Sequence, residues 1–172
     1  MAEARKAVWI SSDEKRRWVR RTPAAARGDS DISLSGTRHQ TVEGIGGCFN
    51  ELGAIALQAM KLAARKRLLD ELFTPGRGCS FNYCRMPIGS SDFGAQWYSH
   101  NEHDGDYAMK HFSIDRDRKV ILPFIKEAVR RRPDLKLFAS PWSPPTWLKF
   151  PKAYNYGKVR WEKRVLDALL ER

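Results

Sequence analysis

Long apolar runs are missing from this sequence of 172 residues. No stretch approaches the roughly 20 uninterrupted apolar residues that a membrane helix requires, so we expect no membrane span. The opening residues, Met1 to Trp9, also lack the apolar run that is typical of a secretory signal. Hydrophobic residues nevertheless make up 42% of the chain, which is enough for a folded domain with a core.

Cysteine and histidine are scarce, with three and four residues. Cys48, Cys79 and Cys84 cannot all pair within one chain, so a disulfide framework is not indicated. Cys84 falls in a predicted strand, where a small buried thiol is the expected state. Three histidines share one polar loop but lack a fourth ligand at a regular spacing, so we expect no metal site.

Acidic side chains are outnumbered, since 31 Lys and Arg stand against 20 Asp and Glu and give a net charge of +11. Such an excess can mark a protein that binds nucleic acid or an anionic membrane. Two of the three basic clusters, 65–67 and 130–132, fall on the polar faces of predicted helices, where charge is ordinarily solvated. We therefore expect no specific nucleic-acid partner.

Hydrophobic spacing predicts alternating strands and helices from Thr41 onward, after short strands near Trp9 and Val19. The predicted strands are Ser80 to Met86 and a buried strand from Leu135 to Ser140. The predicted helices are Glu51 to Ala63, Arg65 to Phe73, Ile121 to Val129 with Pro123 in its first turn, and about Lys158 to Arg172. This order favours a parallel sheet, either doubly wound or closed into a (β/α)₈ barrel.

Polar and aromatic residues follow the successive predicted strands, where both architectures place their functional sites. Asn50 and Glu51 follow a first strand that would end just before Asn50. Arg85, Ser90, Ser91 and Asp92 lie in or after the strand Ser80 to Met86, and Ser140, Trp142, Ser143 and Trp147 lie at the end of or after the strand Leu135 to Ser140. We expect the function to lie at this edge of the sheet.

The segment Gly44 to Phe49 resembles the glycine-rich loop of a dinucleotide site. The third glycine of that pattern is replaced by Phe49, so we expect no nucleotide cofactor. The glycines are better explained by close backbone packing.

The segment Ser140 to Trp147 holds three prolines and two tryptophans. Prolines fix a loop, and the two indoles either cap the core or present a face to an apolar ring such as a sugar. Residues alone leave both interpretations open.

Three polar residues near the strand ends allow a structural and a functional interpretation. Asn50 can cap the helix that starts at Glu51, and both side chains can also bind hydroxyl groups. Arg85 lies in an otherwise apolar strand, where an unpaired guanidinium is costly, so an acidic partner is expected nearby.

Four segments between about Ile32 and Trp161 together resemble family 30 of the glycoside hydrolases, the glucosylceramidase and endo-β-1,6-glucanase type. They occur in the family's order and at similar spacing, and they read QTVEGIGGCFNELGA, SFNYCRMPIGSSDFGAQWYS, HFSIDRDRKVILPFIKEA and LKLFASPWSPPTWLK.

The resemblance implies an α/β fold, namely an incomplete (β/α)₈ TIM barrel of about three βα units in residues 41–172. An N-terminal extended segment, 1–40, would precede it and join a side β-sandwich. It implies retaining hydrolysis of a β-glycosidic bond without a cofactor, on a β-glucoside, a glucan or a glycosphingolipid. Relatives are commonly extracellular or lysosomal, so secretion is an expectation that the missing signal leaves open.

By position, the resemblance makes Glu51 and Trp142 substrate-binding residues. It gives supporting roles to Arg85, Ser91, Asp92, Asn50 and Trp147. The family's acid/base glutamate lies in an Asn-Glu-Pro motif that this sequence lacks, so we expect both catalytic glutamates beyond the chain end, in a missing C-terminal half. The alternatives are a non-catalytic carbohydrate-binding or interaction module and, third, a basic nucleic-acid binder.

Overall fold

The first of two compact units holds a small antiparallel pair of strands. The computed structural model describes residues 8–22, 35–160, 162–164 and 167, and the chain divides into units Met1–Thr41 and Val42–Arg172. In the first unit, β1 (Trp9–Ser11) pairs with β2 (Val19–Arg21). The predicted short strands are thus confirmed, whereas the side β-sandwich stays a prediction.

The second unit mixes helices and strands, which makes it an α/β structure, as the sequence predicts. Its elements are α1 (Glu51–Ala59), α2 (Leu62–Phe73), β3 (Tyr83–Ile88), α3 (Asp115–Lys119), α4 (Ile121–Arg131), β4 (Lys136–Pro141), a 3₁₀ turn (Thr146–Leu148), β5 (Lys149–Phe150) and β6 (Lys158–Val159). Pro123 is the third residue of α4, in its first turn. None of the helices among the described residues is long and apolar enough to cross a membrane.

The central strands β3 and β4 are parallel, as predicted. Their register runs from Tyr83 opposite Lys136 to Ile88 opposite Pro141. The prediction that the strand from Leu135 to Ser140 is buried was wrong, because Leu137 and Phe138 are 39% and 49% exposed. In the described residues β4 has a hydrogen-bonded neighbour on one side only, and side chains on both of its faces are exposed.

The segment before α1 runs beside β3 without forming a regular strand. Cys48 makes one isolated parallel bridge to Arg85, whose N–H donates to the Gly47 carbonyl and whose carbonyl accepts from Phe49 N–H. A Cβ atom on Gly46 would lie 1.9 Å from the Tyr83 carbonyl oxygen. Glycine is therefore required for this approach, which confirms the packing interpretation of the glycine-rich segment.

The core lies between the helices and the inner side of β3. Its buried members are Phe49, Leu57, Leu69, Phe73, Cys84, Ile121, Ile125 and Ala128. Aromatic rings hold its centre, since Phe49 contacts Phe124 edge-on at 4.8 Å between ring centroids. Cys84 is buried, as expected, and burial raises the pKa of its thiol.

Two predicted helices differ from the structure. Helix α1 turns Ala54 and Leu57 inward, whereas Leu52 and Ile55 are exposed. A helix was predicted to begin at Lys158, but Lys158 and Val159 form strand β6 and pair with β5. The apolar residues of that predicted helix, Trp161, Val165, Leu166 and Leu169, lie outside the described residues.

We expect Gly46→Ala to destabilise the second unit by about 3 kcal/mol, because the new methyl group meets backbone that cannot move without breaking the contact with β3. Gly47→Ala is the matched control, since a Cβ there would meet nothing closer than 3.7 Å. The measurement is the free energy of unfolding in urea. Equal effects of the two substitutions would contradict this account.

Candidate functional site

A cleft of about 400 Å³ opens where the chain leaves β3 and β4. Parallel pairing brings the carboxyl ends of the two strands to one edge, so the segments that follow them meet there. Among the lining residues are Asp92, Trp97, Trp142, Ser143, Lys149 and Tyr154. The predicted edge of the sheet therefore carries a concave site.

Trp142 forms one wall of the cleft, and Arg85 lies against the Trp142 ring. Trp142 directly follows β4 and remains 40% exposed. The Arg85 guanidinium carbon lies 5.5 Å from the centroid of its ring, and Arg85 Nε donates to Ser140 Oγ at 2.8 Å. Instead of the expected carboxylate, a hydroxyl group and an indole are the partners of Arg85 in the part of the chain that the structure describes.

The two tryptophans of the proline-rich segment have different environments. Trp147 is 3% exposed, packs edge-on against Tyr107, and donates its indole N–H to the Asn101 carbonyl at 2.9 Å. Trp147 thus belongs to a small core with Leu148, while Trp142 faces the cleft.

The loop after β3 is shaped by two buried serines. Ser90 Oγ donates to the Gln96 carbonyl at 2.8 Å, and the Ser91 carbonyl accepts from Gly94 N–H at 2.8 Å. Asp92 lies at the turn between these bonds, is exposed and is one of the residues that line the cleft. Ser91 thus supports the loop that presents Asp92.

Glu51 is buried and fully engaged within the protein. Its Oε1 accepts from Arg116 Nε at 2.9 Å, and its Oε2 accepts from Ala95 N–H at 2.7 Å. Asn50 caps helix α1, because its side chain accepts from Gly53 N–H at 2.7 Å. The cap interpretation of Asn50 is confirmed. A direct sugar contact of Glu51 stays a prediction, and this geometry does not favour it.

A second buried carboxylate, Asp117, fixes the far end of the same loop. It accepts a hydrogen bond from Tyr98 at 2.5 Å and lies 2.8 Å from His100 Nε2. Burial alone would raise the pKa of Asp117, but the hydrogen bonds from His100 and Tyr98 outweigh it and lower that pKa. Asp117 therefore remains ionised and holds both rings.

Lys149 connects two other residues of the cleft lining, Ser143 and Tyr154. Its ammonium group donates to Ser143 Oγ at 2.7 Å and to the Tyr154 carbonyl at 2.5 Å. Burial lowers the pKa of Lys149, although the negative charge of Glu102 acts in the opposite direction. Burial has the opposite effect on Tyr154 and raises the pKa of its hydroxyl group. The hydroxyl stays protonated and donates to the Ser90 carbonyl at 2.5 Å.

Exposed aromatic faces beside a carboxylate can bind a ring that is apolar on its face and hydroxylated at its rim. Among the described residues, no three His, Cys, Asp or Glu side chains are grouped closely enough to hold a metal ion. These features define an α/β protein with a cleft at the carboxyl edge of two parallel strands, lined among the described residues by aromatic side chains and one carboxylate.

Comparison with known protein families identifies the family within this class. The model of the "Glycosyl hydrolase family 30 TIM-barrel domain" matches residues 42–164. The chain belongs to glycosyl hydrolase family 30, which confirms the resemblance found in the four sequence segments.

The relatives are longer than this chain. Lysosomal acid glucosylceramidase of Mus musculus is 35% identical over 65% of the chain and 22% of its own length. SrfJ from Salmonella typhimurium superposes with a TM-score of 0.73 and 30% identity over 94% of the chain and 38% of its own. The endo-β1,6-glucanase BT3312 superposes with a TM-score of 0.65 and 26% identity, over 80% of the chain and 32% of its own length. The chain thus spans well under half the length of each.

Sequence reasoning missed several residues of the cleft, among them Trp97, Lys149 and Tyr154. Trp97 lies in a polar loop, and Lys149 and Tyr154 lie beyond the proline-rich segment, so no periodic pattern marks them. A lysine within the otherwise apolar run from Trp147 to Phe150 was the available signal, because a buried ammonium group needs acceptors. For Trp97 and Tyr154, only the folded loops bring the rings together.

We expect Glu51→Gln to destabilise the fold by about 2–3 kcal/mol. Removing one member of a buried ion pair costs roughly 3–5 kcal/mol, and the effect is smaller here because Arg116 keeps 32% of its side chain exposed. The free energy of unfolding measures the loss.

Glu71→Gln provides the control for that substitution, since Glu71 pairs with Arg77 at 3.0 Å and the two side chains are 42% and 50% exposed. An exposed pair should change stability by at most about 1 kcal/mol. A Glu51→Gln protein as stable as Glu71→Gln would show that Glu51 does not anchor the loop after β3.

Proposed function

We propose that this chain supplies the sugar-binding wall of a retaining glycoside hydrolase that cleaves β-glucosidic bonds. The observation that carries the proposal is the cleft in which exposed Trp142 and Asp92 face the carboxyl edge of β3 and β4. Family membership and relatives named as a glucosylceramidase and an endo-β1,6-glucanase support it.

Trp142 is proposed to stack on the apolar face of a glucosyl ring, and Asp92 to accept hydrogen bonds from its hydroxyl groups. The indole is oriented by Arg85, whose own position is fixed by Ser140. A carboxylate can accept two or more hydroxyl hydrogen bonds at once, which gives the ring an orientation as well as a location. Ser91 supports this site through the loop, and Glu51 supports it through Arg116 and Ala95.

Retaining hydrolysis requires two carboxyl groups about 5–5.5 Å apart, one as nucleophile and one as acid/base. Asp92 is the single carboxylate among the described residues that line the cleft. We propose that both catalytic glutamates come from polypeptide outside these 172 residues, as the family resemblance implies. The same observation favours the alternative, a carbohydrate-binding module without chemistry, as the second candidate.

Trp142→Ala should weaken binding of methyl β-D-glucoside by roughly 1–3 kcal/mol, because the ring loses its stacking surface. Isothermal titration calorimetry of the complete polypeptide that the gene encodes measures the affinity. Trp18→Ala is the control, since Trp18 is 78% exposed in the first unit. An unchanged affinity for Trp142→Ala would remove Trp142 from the site.

Residues 1–172 by themselves should bind sugar without hydrolysing aryl β-glucosides, because their cleft offers one carboxylate where two are needed. The assay compares this segment with the complete polypeptide of the gene. Turnover of aryl β-glucosides by the segment alone would overturn the proposal. Sugar binding without turnover by the complete polypeptide would favour the non-catalytic module.

A further inference from the structure

Trp97 is a second large aromatic side chain that the cleft leaves in solvent. It lies in the loop after β3, five residues beyond Asp92, and is 52% exposed. Burying an indole is strongly favourable, so an exposed indole on the wall of a concave site offers binding free energy to a ligand. Trp147, by contrast, is 3% exposed, so its indole is already buried within the protein.

The Trp97 ring is held by the ring of Tyr154. Their centroids are 4.9 Å apart and their planes differ by 29°, which is a stacked pair. Tyr154 is itself fixed, because its hydroxyl donates to the Ser90 carbonyl and its carbonyl accepts from Lys149. A platform that is already ordered loses little conformational entropy when a ligand binds.

Hydrogen-bonding groups border this platform. The indole N–H of Trp97 has no acceptor within residues 35–160, whereas that of Trp147 donates to a carbonyl. Asp92 and Asn155 line the same cleft. A flat apolar face with a free donor and polar neighbours suits a second ring with hydroxyl groups on its rim.

We propose that Trp97, stacked on Tyr154, forms a second sugar subsite beside the one at Trp142. The proposal rests on the proposed function and extends it from one ring to two. The ligand is then a β-linked oligosaccharide with at least two rings, one for each indole, rather than a single glucosyl group carried by a lipid.

An alkyl chain fits this place less well than a sugar ring does. Charged and amide groups lie beside Trp97, and an apolar chain would desolvate them without replacing their hydrogen bonds. A separate hollow of about 500 Å³ has Ile88, Met109 and Phe112 in its lining and would suit such a chain better. A sugar ring and an alkyl chain as ligands therefore predict different effects of replacing Trp97.

The test measures affinities of three probes for the complete polypeptide of the gene: methyl β-D-glucoside, the β-1,6-linked glucose disaccharide and octyl β-D-glucoside. We expect Trp97→Ala to weaken the disaccharide about tenfold and to leave methyl and octyl glucosides unchanged. Trp97→Phe should restore most of the loss, because it keeps a stacking face. Trp142→Ala should weaken all three.

Trp9→Ala is the matched control, since Trp9 is also 52% exposed but belongs to the first unit. Disaccharide affinity that is unchanged by Trp97→Ala but lowered by Trp142→Ala overturns the second subsite and leaves the proposed function standing. A loss confined to octyl glucoside, or an equal loss for all three probes, also overturns it. If no sugar binds the unmodified protein, both proposals fall.

Discussion

Parallel pairing of β3 with β4 is the constraint from which the cleft follows. Its register sets Ile88 beside Pro141, so two segments far apart in sequence leave the sheet at one edge. One carries Asp92 and Trp97, and the other carries Trp142. A one-residue slip of β4 would turn Ser140 away from Arg85 and change the wall to which Trp142 belongs.

The long loop after β3 is ordered chiefly by polar contacts rather than by an apolar core of its own. Glu51 holds it through Arg116 and Ala95, and Asp117 holds it through Tyr98 and His100. The Arg116 guanidinium carbon also lies 4.4 Å from the centroid of the Tyr98 ring, so the two anchors are in contact. Buried carboxylates that are fully hydrogen-bonded can impose one conformation on a loop with few apolar residues.

The opposite side of the cleft depends on Lys149. Its ammonium group joins Ser143, which follows Trp142, to the carbonyl of Tyr154, on which Trp97 stacks. One buried cation therefore connects both aromatic surfaces of the site. This connection explains the presence of a lysine directly after the buried residues Trp147 and Leu148.

The sequence by itself determined the family, the α/β class, the parallel β3–β4 pair and the edge at which the cleft lies. Those features are encoded locally, in hydrophobic period, proline and glycine positions, and four ordered segments. Tertiary structure decided which face of α1 is buried, that Trp147 is core while Trp142 is exposed, and that Arg85 pairs with Ser140. It also decided the environments of Glu51, Lys149 and Trp97, because each is set by partners from other segments that no local pattern specifies.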